Sequence, residues 1–596
     1  DRGLEVAMAG NKAFEKVVHD VDFCVVGGGM AGCCAALAAA RHGAKVALMH
    51  DRPVLGGNAS SEIRVHICGA DRHNHIPNLR ETGILEELRL ENLYRNPARC
   101  FSVWDTILYE KLLFEPNVTL LLNCTCQDAA MDAGRIASVT GWQLTTQTFH
   151  EVRARIFADC SGDAILAPLS GALFRVGREG RSEYGESIAP EQPDRRTMGM
   201  TCLFQSRECD APQPFAPPSW AHTFRSCDEI PYGAHHHPQF WNFGYWWIEM
   251  GGEHDSIRDT EYLRDELLKI TYGVWDHIKN HCPHTRDKAR NWTLAWIQFL
   301  PGKRESRRYV GEHVLTQLDI EAEGRFEDLV AYGGWTMDDH HPAGFWSVKV
   351  GAPATMFHPA PSPYGIPYRC LHSKNVANLM FAGRCHSATH AALSSTRVMG
   401  TGCSMAQAVG TAAAMAVTRG IEPAAIGGHL SELQQTLLKD DCYLPWVARE
   451  LPALTQAATL EAARGNPEPV RDGVDRPVGD DTHAWTHRVA DAVAYRFDGD
   501  RDVREATLAF NSALDTDIQM SYHQPCSQPA GPPGELVKAF HVDALVGGDW
   551  RTLARVADNH QRLVRVPLGT RCQGVRFVAD ETWGADETRL YAFYVE

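Results

Sequence analysis

Residues 22–34 read DFCVVGGGMAGCC. Apolar, β-forming residues run up to Val26, three glycines follow, and Met30 opens an alanine-rich stretch with helical character. Gly27, Gly29 and Gly32 satisfy the pattern GxGxxG, in which each glycine has a mechanical task. The first allows a sharp strand-to-helix turn, the second lets a pyrophosphate approach the backbone, and the third lets the helix pack closely on the strand. The helix then presents unpaired N–H groups and its positive dipole end to the phosphates. Its context strengthens the pattern: AKVALMHD, residues 44–51, supplies a second strand, and Asp51 stands about 20 residues on, where a ribose hydroxyl is held. Residues 22–51 therefore predict a βαβ unit that holds a dinucleotide.

A chain of 596 residues, 44% of them hydrophobic, is too long for one core and predicts several packed units. Acidic residues outnumber Lys plus Arg by 74 to 58, a formal charge of −16, which leaves no basic excess to attract nucleic acid or an anionic membrane. Charges interrupt every apolar stretch before the ~20 residues that cross a bilayer, so no transmembrane segment is expected. The 18 cysteines are scattered, with no CxxC pair and no Cys/His set at zinc spacing. They read as free thiols of a reducing, cytoplasmic compartment, and no metal is expected; a leader removed ahead of Asp1 would instead place the protein in the periplasm or outside the cell. The triple His235, His236 and His237 is not a metal site on this reading, because consecutive residues point in different directions.

Outward from the glycine turn, residues 20–173 alternate strand and helix, with inserted helices in NLRETGILEELRLENLYRN and a hairpin across a DAG turn. Residues 174–375 are rich in aromatics, His and Pro and predict a sheet-plus-helix substrate domain containing the helix TEYLRDELLKITYGVWDHIKNH. Residues 376–448 revert to strand, turn and a small-residue helix, closing the first domain. From 453 to 596, loops rich in Pro and Gly separate short alternating runs, AVAYRF, LVRVPL, GVRFVA and RLYAFYV, which predict an all-β sandwich.

Four motifs recur in order: LGGNASSEIRVHICGA, LPGKRESRRYVG, YGGWTMDDHHP and NLMFAGRCHSATHAALSSTRVMGTG. With the glycine turn they resemble the flavoproteins with two dinucleotide-binding domains, and among them the FAD-dependent oxidoreductases, over residues 20–440. The resemblance implies FAD as cofactor, with Gly27, Gly29 and Gly32 at the pyrophosphate. Asp51 would meet the ribose, since His50 stands where many relatives carry that acid. Arg52, Gly57, Asn58 and Ser60 would line the cofactor, Cys126 would pass the adenine, and Ser161, Gly162 and Asp163 would form a later turn. Gly383 and Arg384 would precede the isoalloxazine, and a helix opening at Gly400, Thr401 and Gly402 would aim its N-terminus at the flavin, stabilising the negative charge of the reduced form. The fold expected is α/β: a Rossmann-like FAD-binding domain built from discontinuous segments, a mixed sheet-plus-helix substrate domain, and a C-terminal jelly-roll sandwich that resembles galactose-binding-like domains.

An enzyme that oxidises an alcohol needs a base for the hydroxyl proton, and histidine suits that task at neutral pH. Of 28 histidines, the family-like motifs single out His340 and His390. Arg304 and Glu305 in KRESRR, and Arg397 in SSTRVMG, serve either substrate or flavin binding or an ion-pair network that braces two domains. The aromatic run FWNFGYWW, residues 240–247, is core or the lining of a substrate cleft. Together these features predict oxidation of a secondary hydroxyl of a sugar or glycoside to a ketone, alone or within an oxidation–elimination–reduction cycle. The alternatives are a glycan-binding scaffold with structural FAD, or a flavin dehydrogenase acting on a carboxylic acid or ring substrate. The expected partners are a small molecule or glycan and an electron acceptor that the sequence does not name; an oligomer is compatible with the chain.

Overall fold

The computed structural model describes residues 14–231, 247–520 and 529–596. The histidine triple and residues 240–246 of the aromatic run lie outside the described residues. Strand β1 (Lys16–Val26) leads into the glycine turn, α1 (Met30–Arg41) follows, and β2 (Val46–Met49) returns parallel to β1. Phe23 to Val26 and all of β2 are buried, as expected of strands covered on both faces. Helix α1 is buried nearly all round, which its run of alanines and cysteines allows.

The sheet runs β3–β2–β1–β6–β5–β4, with β3 at Val118–Leu121, β4 at Cys124–Asp132, β5 at Arg135–Gln143 and β6 at Thr148–Asp159. Strands β4 and β5 form the hairpin across the DAG turn, where Ala133 and Gly134 take φ of +46° and +80°, the left-handed pair that a two-residue hairpin turn requires. The late strand Leu379–Phe381 joins the end of β6 in parallel. The helix Met399–Arg419 then packs on α1 so closely that a Cβ at Gly410 would lie 2.2 Å from the carbonyl oxygen of Ala35. Segments almost 370 residues apart thus share one core.

Between them lie small antiparallel sheets. Met200–Thr201 sits between Glu249–Met250 and Gly302–Lys303. The helix Thr260–Asp276 inserts Leu263, Leu267, Ile270 and Val274, one face at helical spacing, into a core with Phe204 and Trp275. It continues through His277–His281 as a π-turn.

The C-terminal residues form a seven-stranded antiparallel sheet. Its strands are longer than the sequence pattern predicts: LVRVPL and GVRFVA belong to a single strand, Leu563–Thr582, paired with Ala492–Phe510. Register shifts after Arg496 and Val503 bend that pair, so the alternation restarts and reads in sequence as separate short strands. Buried arginines bind this unit to the first domain. Arg80 donates to the carbonyl oxygens of Ala513 and Ser512 at 3.0 Å while pairing with Glu86, and Arg562 pairs with Asp441 at 3.1 Å. Among the described residues no helix is long and apolar enough to cross a membrane, and every cysteine is a free thiol.

Candidate active site

At the end of β1, Gly27 has φ +104° and a Cβ there would lie 2.4 Å from the amide nitrogen of Ser161. A Cβ at Gly32 would lie 1.8 Å from the Gly27 carbonyl oxygen. Gly29, by contrast, meets only the Cα of Gly57, at 3.9 Å, and stays open to the cavity in front of it. His50 is buried and holds the turn from behind: Gly28 N–H donates to its Nδ1 at 2.9 Å, and its Nε2 lies 3.1 Å from the Val54 carbonyl oxygen. Burial pushes its pKa below the usual histidine range, consistent with a neutral ring that accepts at Nδ1 and donates at Nε2. With His50 so committed, the carboxylate left at the end of β2 is Asp51, whose side chain is 58% exposed and lines the cavity.

That cavity measures about 810 Å³, within the ~300–1,000 Å³ of small-molecule sites. Of the residues expected at the cofactor, Gly27, Gly29, Asp51, Arg52, Gly57, Asn58, Cys126, Ser161, Gly162, Asp163, Gly383, Arg384 and Gly402 line it. Four do not. Gly32 lies behind the turn, Ser60 is buried and receives the Glu62 N–H, Gly400 donates its N–H to the Cys68 carbonyl, and Thr401 is buried within the helix. Arg52 is held by Glu62 at 2.8 and 3.0 Å, and Asn58 donates to the Lys303 carbonyl at 3.1 Å. Asp163 is locked by Lys303 at 2.6 Å, Ser306 at 2.8 Å and Arg384 at 3.3 Å. Burial would raise its pKa, but Arg384 and Lys303 outweigh burial and hold it below the usual carboxylate range.

Away from the glycine turn the cavity is lined by His340, Arg304 and Arg397, with Trp247, Trp335 and Phe357. His340 is set between two acids, Nδ1 at 2.7 Å from Glu249 and Nε2 at 3.3 Å from Asp338. Burial disfavours its charge and Arg304 adds to that, yet Glu249 and Asp338 together outweigh both and raise its pKa above the usual 6.5. Arg397 pairs with Asp338 at 3.2 Å, and Arg304 reaches Glu249 at 3.4 Å and Thr201 Oγ1 at 2.5 Å.

His390 and Glu305 do not line the cavity. His390 is clamped on both ring nitrogens, by Glu305 at 2.8 Å and Asp339 at 3.0 Å, and Arg308 continues the network to Glu305 and Glu179 at 3.2 and 2.9 Å. The two carboxylates overcome burial and push the His390 pKa up to about 10. It therefore carries a charge at neutral pH and braces the helix His390–Thr396 against the KRESRR segment.

The model of one protein family, FAD dependent oxidoreductase, matches residues 22–437. The chain belongs to this family. Solved structures similar to its C-terminal quarter are carbohydrate-binding modules. They include the family 32 module of Streptococcus pneumoniae EndoD (14% identity, 24% of this chain, 97% of that one, TM-score 0.19). Another is the family 32 module of C. perfringens NanJ in complex with galactose (10% identity, 24% and 95%, TM-score 0.18). A third is chitosan-binding module 1 from the chitosanase/glucanase of Paenibacillus sp. IK-5 (12% identity, 24% and 97%, TM-score 0.18). At TM-scores this low the likeness does not bear on what the C-terminal sheet binds.

The walls of this FAD-dependent oxidoreductase fit its cofactor. The glycines leave backbone bare on the cavity side, α1 presents its N-terminus there, and Arg397 Nε and Trp335 Nε1 are buried without a hydrogen-bond partner, the mark of donors that a bound polar group satisfies. The sequence reading missed Lys303, Glu249, Asp338 and Trp335. Lys303 and Asp338 adjoin residues it selected, in KRESRR and WTMDDHHP; Glu249 meets His340 only through tertiary packing.

The sequence pattern also concealed two groups of potential metal ligands. His66, Cys68 and His73 line the cavity, and Cys227, His277 and Cys282 meet in the middle domain. Cys227 Sγ lies 3.8 Å from Cys282 Sγ and 3.6 Å from His277 Nε2. Neither group matches a zinc-finger spacing; the first is carried back on itself by Arg72, His73 and Asn74, three consecutive residues at φ of +50° to +63°.

Proposed function

We propose that this FAD-dependent oxidoreductase oxidises a secondary hydroxyl of a sugar or glycoside to a ketone in the chamber formed by His340, Arg304, Arg397, Trp247 and Trp335. One observation carries the reading: a single cavity joins the glycine turn to a titratable histidine flanked by aromatic walls, on which a sugar ring can lie. Bound FAD supplies the two-electron acceptor. Arg397 and Arg304 orient polar groups of the substrate, and Glu249 fixes the ring of His340. Glu249 and Asp338 together raise the pKa of His340 above the usual histidine value, so its neutral form, which grows with pH, is the one that accepts the hydroxyl proton. Anaerobic mixing with a panel of mono- and disaccharides tests this: bleaching of the flavin absorption is expected. Sugars that bind without bleaching would favour a glycan-binding protein with structural FAD. Repeated anaerobic turnover with cleavage of the glycoside would identify the oxidation–elimination–reduction cycle, which consumes no net acceptor.

A second reading, a substrate that bears a carboxylate, is favoured by Arg72. It lines the cavity with its guanidinium on the carbonyl oxygens of Gly334 and Ala360, at 2.6 and 2.7 Å, rather than on an acid, and adds to the positive charge of Arg304 and Arg397. Uronates reducing the flavin faster than the matching neutral sugars would support it.

A further inference from the structure

His66, Cys68 and His73 bring three ligand atoms together at the cavity wall. Nε2 of His66 lies 3.2 Å from Nε2 of His73, and Cys68 Sγ lies 3.7 Å from the same His73 atom. A tetrahedral zinc ion with Zn–N and Zn–S bonds of ordinary length separates its ligands by about 3.4 Å for two nitrogens and about 3.6 Å for nitrogen and sulfur. Both separations to His73 therefore stand close to the spacing an ion would impose, and all three ligand atoms lie within 4.8 Å of one another. The other nitrogen of His73 faces the C-terminal unit, with Gln519 Nε2 at 3.4 Å and the buried Asp517 carboxylate at 4.0 Å, while Gln519 itself donates to Asp517 at 2.6 Å. A carboxylate on the far side of a ligating imidazole is the kind of outer partner that orients a metal-bound ring, and Asp517, held by Gln519, stands on that side of His73. Trp335 closes the site from the side, its ring edge-on to His73 with centroids 5.3 Å apart.

We propose that His66, Cys68 and His73 bind one late first-row divalent ion, Zn²⁺ in the first instance, and leave its fourth position open to the cavity. Binding breaks the S–H bond of Cys68, forms the S–metal bond and releases the thiol proton to solvent. Three protein ligands and one open position make the arrangement of a catalytic rather than a structural zinc. Resting on the proposed oxidation of a sugar hydroxyl in the chamber, the open position takes the oxygen of that hydroxyl and makes it more acidic; its O–H bond breaks and the proton passes to neutral His340. The ion thereby assists the one candidate histidine that lines the chamber, His340, since His390 stands outside the cavity.

The test uses the full flavin-loaded chain in a Cys227→Ser background, which disables the second ligand group. The protein is stripped with chelator and dialysed against buffered Zn²⁺, and metal content and the X-ray absorption of the zinc are read. The expected result is one zinc per chain with a shell of one sulfur at about 2.3 Å and nitrogens at about 2.0 Å. Cys68→Ser should remove the sulfur and lower zinc content at least tenfold at the same free Zn²⁺, and His73→Gln should lower content likewise. Retained flavin absorption reports that each variant is folded; if Cys68→Ser fails that check, His73→Gln and the shell of the parent protein decide. Zinc content unchanged by both substitutions, or a shell without sulfur, would overturn the proposal. A zinc site that behaves as expected in a protein whose flavin no sugar reduces would instead count against the oxidation of sugars and leave the metal site standing.

Discussion

Gly32 has no room for a β-carbon, because one would overlap the carbonyl oxygen of Gly27 at 1.8 Å. Gly32→Ala must push α1 off the turn, so the purified variant should lose its flavin; a variant with full flavin content would show that the helix shifts without cost. Asp51 is the carboxylate left facing the cavity once His50 turns inward. If it holds the cofactor's ribose as proposed, Asp51→Ala should remove a charge-assisted hydrogen bond worth about 1.5–3 kcal/mol and weaken FAD affinity tenfold to hundredfold in reconstitution of the deflavinated protein. The turn itself was legible in the sequence because its pattern is local, glycines at fixed spacing between a strand and a helix, even though the atom that crowds Gly27 belongs to Ser161, just past the end of β6. The state of His340 was not, since Glu249, 91 residues away, sets it.

At the scale of the element, the helix His390–Thr396 is tied to the KRESRR segment by a buried network of His390, Glu305, Asp339, Arg308 and Glu179. His390→Gln leaves the buried Asp339 carboxylate without the cation it pairs with and Glu305 with Arg308 alone, and a loss of about 3–5 kcal/mol in denaturant unfolding is expected. The pH dependence has a fixed sign. The folded pKa of His390, about 10, lies above the unfolded value, so its stabilisation is complete below about 6.5 and fades as the pH rises towards 10. Melting temperatures over this range should fall more steeply for the parent chain than for His390→Gln. The sequence could not distinguish the two candidate histidines, because both sit in family-like motifs; only packing turns one into the cavity and the other into a buried brace. Bends had the same effect on strands, splitting Leu563–Thr582 into two apparent runs where its register shifts.

At the scale of the whole molecule, the C-terminal sheet is built into the oxidoreductase. Arg80 and Arg562 are buried at the join, and Asp517 and Gln519 reach the cavity-lining His73. Thermal unfolding should therefore show one transition, with flavin release coincident with it, and Arg562→Ala should lower both together. A C-terminal transition that leaves flavin in place would contradict this. The composition shift near residue 453 made a second architecture legible, but the arginines that bind it to the first lie among many charged residues that the sequence alone does not separate.

The cavity at the glycine turn and the chamber at His340 are one continuous space, and the proposed chemistry requires that they act as one site. The most direct measurement is the anaerobic rate of flavin reduction by a saturating glycoside, followed across pH in the parent chain and in His340→Gln. The parent rate should rise with pH to a plateau, with an apparent pKa above 6.5, and His340→Gln should be slower by about a hundredfold to ten-thousandfold and lack that rise. Equal rates and equal pH profiles in the two proteins would show that His340 takes no part in the oxidation.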